Sequence, residues 1–136
     1  MTVIADMRTG AKTALDNTAA LVQRYTSRPA SVGSFPAGWV DEARTNLRHD
    51  SGTRQWTGEI DCYLVVSSFD NEEEMTALDT ATAQLIDYVS DNPHLMGTNT
   101  VVEPTGVRLT GVDFGDGSPR PAAIVTLGRF VFQEGR

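Results

Sequence analysis

The apolar positions along this chain follow two periods, one helical and one extended, arranged in blocks. The clearest block is 70–93, DNEEEMTALDTATAQLIDYVSDNP. Met75, Leu78, Leu85, Ile86 and Val89 recur at helical spacing, with Ala81 and Thr82 filling the turn between them. Asp70 or Asn71 can cap the start, and Glu73 or Glu74 completes a capping box. Three consecutive glutamates in the first turn suit the positive end of the helix dipole. Pro93 ends the block, because the residue before a proline avoids the helical region.

A second amphipathic helix is expected over 2–25. Ile4, Met7, Ala11, Ala14, Leu15, Leu21, Val22 and Tyr25 make one stripe. Thr2 is the candidate cap. Gly10 costs about 1 kcal/mol relative to alanine in a helix interior, so it marks either a close contact or a frayed first turn. Residues 30–38, ASVGSFPAG, read as a loop, with a short edge strand around 31–35.

The extended blocks come next. In 39–49, Trp39, Ala43 and Leu47 share one face and Val40, Glu42, Arg44, Asn46 and Arg48 the other, which reads as a half-exposed strand with a short helix as the competing reading. Residues 50–53, DSGT, form a turn. In 56–68, Trp56, Gly58, Ile60, Cys62, Leu64 and Val66 alternate with polar or mixed residues, so one face meets the core and the other meets solvent or a neighbour. These two strands pair as a long hairpin with a polar, projecting tip. Residues 100–114 read as a strand interrupted by Pro104 and Gly106, which argues for an edge position or a bulge. Residues 115–121, GDGSPRP, are turn chemistry. The last strand, 122–133, is apolar on both faces through Ile124, Val125, Leu127, Phe130, Val131 and Phe132, the mark of a central strand. The order predicts a single α+β domain over 1–136: a mostly antiparallel sheet, two helices on one face and a long projecting hairpin.

Composition narrows the function classes. With 18 acidic residues against 11 basic and a net charge of −7, the chain lacks the concentrated basic surface that wraps nucleic acid. No apolar run approaches the ~18–20 residues that span a bilayer, and no signal region opens the sequence, so synthesis and first use in the cytoplasm are expected. The single Cys62, on an apolar strand face, reads as a buried structural thiol. His49 and His94 stand alone, without ligands at metal-binding spacing. The run Glu72-Glu73-Glu74 reads as a solvated helix start. Asp113-Phe114-Gly115-Asp116-Gly117 lacks the ligand spacing and closing glutamate of a calcium loop. No catalytic residue, cofactor or metal is therefore expected, and the chain does not read as an enzyme. Arg44, Arg48 and Arg54 gather near the hairpin tip with Asp50 among them, either a salt-bridging arm between subunits or a solvated hairpin end.

One stretch carries a resemblance. Pro36-Ala37-Gly38-Trp39-Val40-Asp41, leading to Leu47-Arg48-His49-Asp50-Ser51-Gly52-Thr53-Arg54-Gln55-Trp56, resembles the tail terminator (tail-completion or minor tail) proteins of long-tailed, non-contractile bacteriophages of actinobacteria. The layout of helix, long hairpin, helix and two closing strands is similar over essentially the whole chain. The resemblance implies a structural virion protein of a siphophage, assembled in the host cytoplasm. It would form a hexameric ring that caps the tail tube, ends its polymerisation and offers the head-joining surface. Its partners would be copies of itself, the tail tube protein and a head-completion or connector protein. DNA would pass through the lumen without specific binding, helped by the acidic charge. On this reading Arg44, Arg48 and Arg54 meet a neighbouring subunit. The 100–114 edge and the loop residues Gly115, Asp116, Gly117, Ser118 and Arg120 meet an axial partner. Two alternatives stay open: a head-completion or connector neck protein, and a small cytoplasmic ligand-binding α+β domain.

Overall fold

A computed structural model describes residues 3–50, 52–97 and 100–135. The elements are α1 (Val3–Asp16), β1 (Gln23–Tyr25), β2 (Ala37–Asp50), β3 (Thr53–Val65), α2 (Glu72–Asp91), β4 (Glu103–Val112) and β5 (Arg120–Gly135). The five strands form one sheet in the order β1-β2-β3-β5-β4. Among the described residues β1 and β2 pair in parallel, and β2–β3, β3–β5 and β4–β5 pair antiparallel. Both helices pack on one face, giving the α+β arrangement that the periodicities predict.

α2 starts where the capping residues place it. The Asn71 side chain accepts from the Glu73 and Glu74 backbone N–H groups. The capping box is not closed in the expected way: the Glu74 carboxylate instead accepts from the Ser67 N–H, tying the helix start to the end of β3. Leu78, Ala81, Leu85 and Val89 are buried. Met7, Ala11, Ala14 and Leu15 of α1 join them, together with Ile60, Cys62, Leu64 and Val66 from the β3 segment and Val125 and Leu127 from β5.

α1 is shorter than the stripe suggests, ending at Asp16 instead of continuing to Tyr25. Asn17 and Thr18 bond back through their side chains to the carbonyls of Thr13 and Ala14. Arg24 reaches from β1 to the carbonyls of Leu15 (2.8 Å) and Thr18 (2.9 Å). These donors satisfy the open helix end and let the chain turn back, so Leu21 enters the core from outside the helix. Ile4 and Val22 are exposed and Val3 takes the inward place. Thr2, the expected cap, lies outside the described residues. Gly10 marks a close contact: a Cβ there would lie 2.5 Å from Met96 Sδ and 2.8 Å from the Leu95 carbonyl oxygen. The short edge strand is β1, not 31–35.

In β2, Val40 pairs with Cys62 but Ala43 with Ile60, so a bulge adds one residue and reverses the alternation. Trp39 and Ala43, expected on one face, therefore lie on opposite faces. Trp39 is fully buried behind the sheet. It stacks on Tyr63 at 5.1 Å, meets Phe114 edge-on at 5.8 Å and belongs to a second small core with Ala37, Val65, Val112 and Ala122, against which Tyr25, Val32 and Phe35 pack.

β4 is the sheet edge, with its register shift between Pro104 and Gly106, as the sequence predicts. β5 lies between β3 and β4 and runs past the start of β4 to pair with β3 as far as Thr53↔Gly135. The projecting arm is thus three-stranded, not a bare hairpin. The side chains of Phe130 and Phe132 lie outside the described residues.

Candidate assembly surfaces

Among the described residues three surfaces stand out: the back of the sheet beyond the Trp39 core, the arm, and the β4 edge. On the back, paired residues share a face, which brings Arg44 opposite Glu59 and Asp61 opposite Thr126. Arg44 Nη1 donates to Asp61 Oδ2 at 2.8 Å, and Nη2 donates to Asp61 Oδ1 and to Glu59 Oε2, each at 3.1 Å. Thr126 donates to Asp61 Oδ1 at 2.8 Å. Burial pushes the Asp61 carboxyl up, but the bonds from Arg44 and Thr126 and the charges of Arg44 and Arg108 outweigh it, and the net shift is downward. The Arg44 guanidinium is pushed up by its bonds to Asp61 and Glu59.

The three arginines of the hairpin do not act as one cluster. Arg44 is held by its own chain. Arg48 is exposed on the same face of the arm, opposite Gln55. Arg54 pairs with His49 on the other face, which it shares with Leu47. It also makes contacts within its own chain. That Arg44 would pair with acids of β3 was within reach of the sequence, because a two-residue turn after Asp50 sets Arg44 opposite Glu59.

The 113–119 loop is more tightly built than its glycines suggest. Asp113 Oδ1 accepts from the N–H groups of Gly115 (2.8 Å) and Gly117 (3.2 Å). Asp116 Oδ1 accepts from Ser118 N–H at 3.0 Å. Gly115 and Gly117 both have positive φ, at 98° and 77°, so the glycines serve the turns. Arg120 is the first residue of β5, not part of the loop. Its guanidinium reaches Asp116 at 3.1 Å and the Ser67 carbonyl at 3.0 Å, and lies over the Phe35 ring. The Asp116 carboxyl is held below its usual range, first by the Ser118 N–H and then by Arg120. Gly115, Asp116, Gly117, Ser118 and Arg120 therefore do lie together, as a preformed knob at one end of the sheet.

The surface that the sequence reading passed over is an apolar strip beside β4. Val107 and Leu109 pair with Val125 and Ala123, so they lie on the helix-bearing face, but α2 does not reach over them. They are 46% and 67% exposed, and Phe69 and Val101 flank them at 54% and 55%. Two open grooves run between this edge and α2, one past Ile86 and Val107, the other past Met75 and Leu109. The signal was present as the alternation Val107, Leu109 against Arg108, Thr110. Only the three-dimensional position of α2 reveals that the apolar side is bare.

Cys62 is fully buried and its thiol is pushed up to about 12 by burial, so it is a packing residue. His94 Nδ1 lies 3.1 Å from the Thr100 carbonyl oxygen. Among the described residues no group of three or more His, Cys, Asp or Glu could hold a metal ion, and no helix is long and apolar enough to cross a membrane. No known protein family matches the chain, and no curated protein is significantly similar to it.

Proposed function

We propose that this chain is a structural virion protein of a long-tailed bacteriophage, a tail terminator that forms a ring, caps the tail tube, ends its polymerisation and offers the head-joining surface. The resemblance over residues 36–56 and the α+β layout support it. The observation that carries it is that the sheet has two different unfinished sides. β4 ends the sheet with an exposed apolar strip, and at the other side β2 is paired by β1 only at Ala37–Trp39. A protomer with two unlike, unsatisfied sides is suited to heterologous contacts that close into a ring. Exposed apolar area of this kind marks an interaction surface on a soluble protein.

In this reading the preformed loop of Gly115, Asp116, Gly117 and Ser118, braced by Arg120, meets the axial neighbour: a tail tube protein on one side of the ring or a head-completion or connector protein on the other. A rigid loop loses little conformational entropy on docking. The net charge of −7, repeated around a lumen, repels DNA in transit. Deleting the gene from its phage tests the function. The expected result is filled heads without tails, and tails of uncontrolled length. Tails of normal length with heads that leak DNA would instead identify a head-completion factor.

A further inference from the structure

The arm and the β4 edge differ in charge as well as in shape. Residues 43–58 of the arm carry three arginines and one aspartate; of the arginines, Arg44 is already held by Asp61 and Glu59. α2 carries six carboxylates, Glu72, Glu73, Glu74, Asp79, Asp87 and Asp91, and neither lysine nor arginine. Helical spacing puts Asp79 on the same stripe as Met75 and Ile86, the residues of α2 that line the grooves beside β4. On the arm, the register Leu47↔Trp56 and His49↔Arg54 puts Leu47, His49 and Arg54 on one face. Leu47 is 43% exposed there. One side of the molecule thus offers an apolar residue beside an arginine and a histidine; the other offers an apolar groove beside an acidic helix.

We infer that the groove between β4 and α2 receives the arm of a second copy of this chain, with Leu47 of that copy on the Val107–Leu109 strip. This rests on the ring-forming reading and names its lateral contact. Two arguments select a second copy in this arrangement. The first is charge. Joining two β4 sides would set one acidic α2 against another, and joining two arms would set arginines together. Only the unlike pairing brings opposite charges into contact. The second is strand direction. β2, β3, β5 and β4 alternate in direction across the sheet. A following copy in the same orientation presents its β2 antiparallel to β4, which continues the alternation with the more stable kind of ladder. Among the described residues the outer edge of β2 from Ala43 to Asp50 has no strand partner, so its backbone groups are free to complete that ladder. The contact removes both exposed edges at once, which is how a closed ring avoids endless strand addition.

Site-directed crosslinking tests the pairing. Leu47→Cys and Leu109→Cys are introduced together and singly, and each protein is treated with a flexible bis-maleimide. Both positions are exposed, so the variants should fold; replacing Leu109→Cys by Val107→Cys supplies an independent second pair. The native Cys62 is buried with its thiol pushed up to about 12, so the introduced thiols report alone. The expected result is a ladder of covalent multimers from the double variants that both single variants lack. Efficient crosslinking by Leu109→Cys alone would mean that two β4 edges meet, and would overturn the inference. Native mass spectrometry on the same samples separates the two levels. Rings without a ladder would overturn the arm-in-groove contact and leave a capping ring standing. Monomers at every concentration would overturn both.

Discussion

Arg44 and Asp61 are joined across the β2–β3 pair by two hydrogen bonds, at 2.8 and 3.1 Å, on a sheet face that no helix covers. The Asp61 side chain is only 10% exposed while that of Arg44 is 41% exposed. The acid is thus a nearly buried charge neutralised from the solvent side. Arg44→Met should cost ~1–2 kcal/mol, because it leaves a buried acceptor short of donors, with water reaching the Arg44 side limiting the loss. The pH dependence follows from the downward shift at Asp61. A depressed folded-state pKa gives stabilisation that is present above the unfolded value, about 3.9, and is lost as pH falls through the folded value. Urea titrations at pH 7 should separate wild type from Arg44→Met, and the gap should close below about pH 4. A gap that persists unchanged into acid would show that Arg44 acts through packing alone.

The helix-facing row of β3 tests the core. Leu64 is fully buried among residues of both helices and β5. Leu64→Ala should cost ~2–5 kcal/mol in chemical denaturation, the range for emptying a packed site. A change within ~0.5 kcal/mol, typical of surface positions, would contradict the assigned face.

Gly10 gives a prediction whose sign opposes helix propensity. Alanine is better than glycine inside a helix by about 1 kcal/mol, so an exposed Gly10 would be improved by Gly10→Ala. Here the added methyl group would meet Met96 Sδ at 2.5 Å and the Leu95 carbonyl oxygen at 2.8 Å. The sulfur can swing away, but the carbonyl belongs to the backbone. Gly10→Ala should therefore lower the thermal midpoint, and a raised midpoint would show that the connector yields.

Much of this fold is legible in the residues. The alternation of Ile60, Cys62 and Leu64 set the face of β3, Asn71 set the start of α2, and Pro104 with Gly106 set β4 at the edge. Three features were not. The end of α1 depends on Arg24, a residue eight positions later in another element, and nothing local in the stripe announces it. The bulge between Val40 and Ala43 reverses a parity that sequence can only assume to be constant. The bare strip of Val107 and Leu109 exists because α2 crosses elsewhere, which is a fact of packing. The candidate site was legible in a similar proportion. The loop at Gly115–Ser118 was found as a turn, whereas Arg44 proved to be committed to its own chain.

The remaining arginines of the arm test the lateral contact by charge. Reversing Arg48 and Arg54 together, each to glutamate, should weaken assembly while leaving the circular dichroism of the folded protomer unchanged. Adding Asp79→Lys should restore part of the assembly, since it returns opposite charge to the two sides. The effect should shrink as salt is raised, because exposed charges are screened beyond ~10 Å at 0.1 M ionic strength. Normal rings from the double reversal at low salt would remove the arm from the interface.

The most direct measurement is native mass spectrometry of the purified wild-type chain at low ionic strength over a range of concentrations. A closed hexamer, in equilibrium with monomer and without larger species, is the expected result, because two unlike sides that meet around a ring leave no edge to extend. A strict monomer at all concentrations, or open polymers that lengthen with concentration, would contradict a ring-forming tail cap.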